Sequence, residues 1–208
     1  MIFDLNKIHE TFPIKGVMHI GAFAGEELRQ YRSIGLSNTI MFEPQEHLYN
    51  DIKSRCIVDE QIHNVALGSE RGSKEMYISF REGGVSHGSG ASSSLLKPKV
   101  HLEEHPEVTF PETKTVEVHL LDDYYDPYGP EYNFLNIDVQ GYELEVLKGG
   151  TKTLENIDAM IVEVNRDEVY ENCPMIEDID NFLKDFDFVR VAEVWQSKSW
   201  GDALYARN

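Results

Sequence analysis

Lys15-Gly16-Val17-Met18-His19-Ile20-Gly21-Ala22-Phe23-Ala24-Gly25-Glu26-Glu27 is the stretch that decides the fold. Val17, Met18 and Ile20 form an apolar run that enters a tight Gly-Ala-x-x-Gly turn, and Glu26-Glu27-Leu28-Arg29-Gln30 favours a helix after it. Strand, glycine turn and helix in this order open a nucleotide-binding α/β domain. Glycine is required where a backbone turns sharply or lets a ligand touch it, because a Cβ collides there. A helix starting at Gly25 would aim free N–H groups at the turn, a site for a carboxylate or other anion. Gly21 and Gly25 also suit plain close packing of helix on strand, so this stretch alone leaves both roles open.

Outward from the turn, strands and helices alternate. Residues 3–12 read as a short amphipathic helix before Pro13, and Leu28, Tyr31 and Ile34 give the helix after Gly25 one apolar face, ended by Gly35. Thr39-Ile40-Met41-Phe42 is a short buried strand stopped by Glu43-Pro44, with Pro44 expected in the first turn of the next helix. Ile62 to Gly68 reads as a third strand, and 74–80 and 114–121 as alternating, half-exposed ones. Between those two, residues 81–100 are rich in glycine and serine and have no period, the texture of a lid or substrate loop. Residues 133–139 and 159–164 are buried strands ending on or next to an acid, each followed by helical sequence. Residues 188–195 and 203–207 read as a closing antiparallel hairpin. The pattern predicts one α/β domain over 1–208, Rossmann-like, with a mostly parallel sheet covered by helices on both faces and one antiparallel terminal strand.

Composition narrows the partners. The 208 residues include 19 basic and 37 acidic ones, a net charge of −18. That charge repels the phosphates of nucleic acids and the anionic surface of membranes. Cys56 and Cys173 stand apart and suggest neither a disulfide framework nor a zinc cluster. The start carries no basic-then-apolar leader and no run reaches about 18 apolar residues, so a soluble, cytoplasmic chain is expected.

In an open α/β sheet the ligand lies beyond the carboxyl ends of the strands. Gly21, Glu43, the Asn64 to Leu67 stretch, Asp138 and Glu163 occupy those ends. Glu43 follows Gly21 at the spacing of an acid that accepts both hydrogens of a ribose diol. Acids converging on one sheet edge repel each other unless a ligand compensates. A dinucleotide needs Gly-x-Gly-x-x-Gly, and Phe23 stands at its middle glycine. A sulfonium cofactor without pyrophosphate, S-adenosylmethionine, suits the glycine turn and the acids better.

The residues then resemble a known family. His-Ile-Gly-Ala-x-x-Gly-Glu (19–26), Phe-Glu-Pro (42–44), Asn-Val-Ala-Leu-Gly (64–68) and Ser-Ser-Ser-Leu (92–95) follow in order. They continue with Leu-Asn-Ile-Asp-Val-Gln-Gly-Tyr-Glu (135–143), Ile-Val-Glu-Val (161–164) and Trp-Gly-Asp-Ala-Leu-Tyr (200–205). Together they resemble the FkbM-like S-adenosylmethionine-dependent methyltransferases. The resemblance implies a seven-strand sheet and O-methylation of hydroxyl groups, often on sugars or other secondary metabolites. It implies that Gly21, Ala22 and Gly25 border methionine, Glu43 the ribose, Asn64, Val65 and Ala66 the adenine, and Asp138 the methionine end. His19 departs from the family, where many relatives carry an acid. It either borders the cofactor or is hydrogen-bonded within its strand.

Methyl transfer to oxygen needs alignment and a base for the departing proton. Asp138 is the first candidate, on the expectation that burial raises its pKa, with Glu143, Glu163 and His87 as alternatives. Ser93, with Ser92 and Ser94, can hydrogen-bond the sugar or the cofactor, and Tyr124, Tyr125, Tyr128 and Tyr142 are candidates to flank a sugar ring. No metal site is read, since the carboxylates lack a fixed ligand spacing. The competing readings are a nicotinamide-dependent sugar-modifying enzyme and a non-catalytic nucleotide-binding domain.

Overall fold

The computed structural model describes residues 2–82, 90–125 and 131–208. Its elements run α1 (Leu5–Thr11), β1 (Val17–Ile20), α2 (Leu28–Ser33), β2 (Thr39–Phe42), α3 (Glu46–Arg55), β3 (Glu60–His63) and β4 (Ala66–Leu67). They continue with β5 (Gly72–Arg81), α4 (His101–Glu104), β6 (Val108–His119), β7 (Phe134–Ile137), α5 (Glu143–Lys148) and α6 (Thr151–Leu154). β8 (Ala159–Asn165), α7 (Ile176–Lys184), β9 (Phe188–Trp195) and β10 (Trp200–Arg207) complete the chain.

The main sheet has seven strands in the order β3-β2-β1-β7-β8-β10-β9. β10 is antiparallel to both its neighbours, whereas the β3-β2-β1-β7-β8 run is parallel throughout. The chain-terminal strand is thus the antiparallel one, and it is inserted one place in from the edge. Strands on one side of β1 come early in the chain and those on the other side late. The crevice at that reversal, between β1 and β7, is where such sheets bind ligands.

Strand periodicity separates two cores. Met18, Ile20, Leu135, Ile137, Met160 and Val162 point to one face, under Val146 and Leu147 of α5 and Ile176, Ile179 and Leu183 of α7. Val17, Phe134, Ala159, Ile161 and Leu204 point to the other, against Leu5 and Ile8 of α1 and Tyr31 of α2. The central strands are buried on both faces, which is why they read as continuous apolar runs.

Three expectations need correction. The expected strand over 62–68 is two short strands: β3 pairs with β2, while β4 joins a separate three-stranded sheet of order β4-β6-β5. Asn64 causes the break, since its Nδ2 donates to the carbonyls of Glu43 and Pro44 and ties the chain down between the two sheets. Pro44 lies outside α3, because the Glu43 carboxylate accepts the Gln45 N–H and holds Gln45 extended as the cap. The helix after the glycine turn starts at Leu28, so a turn, and not a helix N-terminus, faces the crevice.

Candidate active site

Gly21 ends β1 with φ +81° and donates to the Phe42 carbonyl, as does Ala22, both at 3.0 Å. A Cβ on Gly21 would stand 1.8 Å from the Asp138 carbonyl oxygen, so no other residue fits where β1 and β7 diverge. Phe23 also takes a positive φ of 44°. Its N–H donates to Glu43 Oε2 at 2.8 Å, and the Gln45 N–H donates to Oε1 at 2.8 Å. Glu43 is 3% exposed, and burial pushes its pKa up to about 7 against the pull of those backbone donors.

The register carries acids along the carboxyl edge. Ile137 pairs with Val162, and Ala203 also pairs with Val162, so the next row holds Asp138, Glu163 and Asp202. Asp138 is exposed, contrary to the expectation that it would be buried; Glu163 and Glu143 are the buried carboxylates. Gln140 Nε2 bridges Asp138 Oδ1 at 2.7 Å and Glu163 Oε2 at 2.6 Å. Burial, followed by the neighbouring Asp138, pushes Glu163 well above the usual carboxylate range. Burial likewise lifts Asp202 to about 6, with Asp138 contributing. Gln140 is fixed from the other side by the Tyr170 hydroxyl on its Oε1 at 2.9 Å and by Ser94 Oγ on its carbonyl at 2.6 Å.

One step below, on the same face, are His19 and Asn136. Asn136 Nδ2 donates to the Tyr31 hydroxyl oxygen at 3.0 Å, and the same hydroxyl is hydrogen-bonded to His19 Nδ1 at 3.3 Å. Burial lowers the His19 pKa, so the ring is neutral near pH 7.

A cavity of about 480 Å³ opens at this edge. His19, Gly21, Ala22, Glu43, Val65, Ala66, Ser93 and Asp138 lie on its wall. The other candidates act behind it or elsewhere. Gly25 donates its N–H to the Ala22 carbonyl and shapes the turn, and Asn64 holds the Glu43-Pro44 backbone. Glu143, fully buried, accepts the N–H groups of Val139 and Gly141 on Oε1, each at 3.0 Å, and so staples the loop carrying Gln140. His87 and Tyr128 lie outside the described residues. Ser93 Oγ accepts the Ser79 N–H at 3.0 Å, and Ser94 pairs with Tyr77 as an antiparallel bridge, so the segment from Gly90 onward is docked on β5. Tyr124 belongs to the core and Tyr142 lines the cavity, whereas Tyr125 accepts a hydrogen bond from Asn156.

Sequence reasoning did not assign Glu27, Asn136, Gln140, Gln196, Trp200 or Asp202, all on the cavity wall. Asn136, Gln140, Trp200 and Asp202 fall inside the quoted blocks and Glu27 inside the opening stretch, which was the available signal; Gln196 needed the fold.

Among the described residues, the cavity wall includes the acids Glu26, Glu27, Glu43, Asp138 and Asp202 and no Lys or Arg. A pyrophosphate has no counter-charge there. A cation does. The sequence agrees: the methyltransferase FkbM domain matches residues 19–190. The chain belongs to the FkbM methyltransferase family. It is similar to 2-O-methyltransferase NoeI of Sinorhizobium fredii, 26% identical over 181 residues, covering 83% of this chain and 72% of that protein. Its fold is similar to that of magnesium protoporphyrin IX methyltransferase ChlM from Synechocystis, solved with SAM bound. That match has TM-score 0.53 and 10% identity and covers 97% of this chain and 74% of the other. The N-methyltransferase NodS of Bradyrhizobium japonicum gives TM-score 0.53 and 9% identity over 98% of this chain and 91% of the other. As a family member the chain is a methyltransferase that uses S-adenosylmethionine. The acidic wall fits a donor that carries a sulfonium and an ammonium. No helix among the described residues is long and apolar enough to cross a membrane.

Proposed function

We propose that this methyltransferase acts on a hydroxyl of an uncharged saccharide, with Asp138 taking the hydroxyl proton. The carrying observation is the Asp138 carboxylate, exposed on the cavity wall beside the β1 turn and aimed by Gln140 Nε2 at 2.7 Å. When bound, the donor supplies an electrophilic methyl carbon. Asp138 would take the proton of the acceptor hydroxyl as that oxygen becomes the nucleophile toward the methyl carbon the donor would supply. Proton transfer to such a base contributes about 10²–10⁴ in rate.

The cofactor places follow the edge. Glu43 would hold the ribose diol, Val65 and Ala66 would border the adenine, and Gly21, Ala22 and Phe23 would border the methionine. Asp138, beside Glu163, would favour the cation over its neutral product. The saccharide reading draws on two supports. The NoeI relative is by name a 2-O-methyltransferase, so oxygen is its acceptor atom. The chain's charge of −18 and its acidic cavity repel an anionic acceptor but not a neutral sugar.

The test is incubation with methyl-labelled S-adenosylmethionine and a panel of methyl glycosides and oligosaccharides. Label should enter a saccharide as an alkali-stable ether. Label confined to amines or carboxylates would overturn the reading, as would no transfer while calorimetry shows the cofactor bound.

A further inference from the structure

The acid row divides the cavity. β2 and β7 are two strand spacings apart, and so are β7 and β10. At about 4.8 Å per spacing, Asp138 stands about 10 Å from both the Glu43 strand and the Asp202 strand. The cofactor reading fills the first half. The second half is lined by residues it leaves unused.

Those residues come from the β9–β10 hairpin. Trp200 and Asp202 are two apart on β10 and share a face, while Gln196 follows the end of β9. Gln196 Nε2 donates to Asp202 Oδ2 at 3.0 Å. The other carboxylate oxygen of Asp202, Gln196 Oε1 and the Trp200 indole N–H make no hydrogen bond to any described residue. Asp202 is 7% exposed and lines the cavity. Trp200 is half-buried on the cavity wall and backed by the Val169, Tyr170 and Cys173 cluster, which fixes its ring. The hairpin tip is itself rigid: Ser197 Oγ accepts from the N–H groups of Ser199 and Trp200 at 3.0 and 3.1 Å, and Ser199 Oγ donates to Glu104.

We propose that Trp200, Gln196 and Asp202 form the acceptor subsite and hold a pyranose ring, apolar face on the indole and hydroxyls on the amide and carboxylate. A fixed aromatic plane beside planar polar groups with unused hydrogen-bonding capacity suits a ligand with one C–H face and a rim of hydroxyls. A sugar bound there presents a rim hydroxyl toward Asp138, two spacings away. This assignment rests on the saccharide reading above.

The chain has two tryptophans, so Trp195→Phe leaves Trp200 as the only indole emitter. In that variant, saturated with S-adenosylhomocysteine, titration with the methyl glycoside that wild type methylates should shift the Trp200 emission. In steady state Trp200→Ala should raise the glycoside KM about tenfold, the scale of one lost aromatic contact, with cofactor affinity by calorimetry unchanged. Trp200→Phe should keep most of the affinity, and Gln196→Ala should raise KM severalfold with kcat nearly retained. Methylation of a glycoside with Trp200 emission unmoved and KM unchanged in both alanine variants would overturn the subsite alone. Wild type that binds cofactor and methylates no saccharide would overturn the acceptor reading and the subsite together.

Discussion

Glu43 and Glu163 both stand at the carboxyl edge of the same sheet, both buried, yet they are held in opposite ways. Each oxygen of Glu43 accepts a backbone N–H, from Phe23 and from Gln45. Glu163 has the Gln140 amide on one oxygen and like charges around it, Asp138, Glu143 and Asp202. Backbone donors fix a carboxylate in place and favour its charge. Neighbouring carboxylates raise its proton affinity and create a field that a cation relieves. One half of the edge is therefore set by geometry and the other by charge; under the proposed function the first recognises a polar ligand edge and the second favours a cationic donor and accepts a proton.

Removing Asp138, the proposed base between the halves, should have the largest effect. Asp138→Asn is expected to lower methyl transfer about 10²–10⁴-fold while calorimetry still reports cofactor binding. Full activity in that variant would break the division of labour. On the geometric half, Glu43→Gln should weaken cofactor binding about 10- to 100-fold, since hydrogen bonds to a charged group contribute about 1.5–3 kcal/mol. An unchanged dissociation constant would mean that Glu43 only shapes the turn.

The charged half makes a prediction about pH. Burial raises the Glu143 pKa to about 7 from 4.5. Between those values unfolding releases its proton, so this group favours folding below about pH 4.5 and loses that contribution as pH rises toward 7. Glu143→Gln keeps an acceptor for Val139 and Gly141 without the charge. Its melting temperature should gain on wild type across that window, by a few degrees at pH 8. A constant difference at all pH values would show that Glu143 carries no such penalty. The smallest effect is expected at Tyr31→Phe, which leaves His19 Nδ1 and the Asn136 amide without their shared hydroxyl. It should cost about 1 kcal/mol of stability, read by denaturant melts, with kcat nearly unchanged.

Much of this was legible in the chain. β1, β2 and β9 were read with the bounds they have, because fully buried parallel strands are apolar runs and the β9 run ends in a polar loop. Gly21 was legible because only glycine permits its conformation against Asp138. The break between β3 and β4 was not, because it depends on Asn64 reaching carbonyls about twenty residues away in sequence. Nor was the role of Glu143, whose carboxylate turns back onto its own loop instead of into the cavity.

The sequence by itself determined the alternation of strand and helix, the glycine turn, the excess of acid and the family. Those follow from local sterics, periodicity and composition, which a chain carries without being folded. Only the tertiary structure decided that Asp138, Glu163 and Asp202 share one row, since β10 returns antiparallel beside β8 and sets that register over about forty residues of chain. Only it decided which acids are buried, because desolvation belongs to the packed protein and not to the residue.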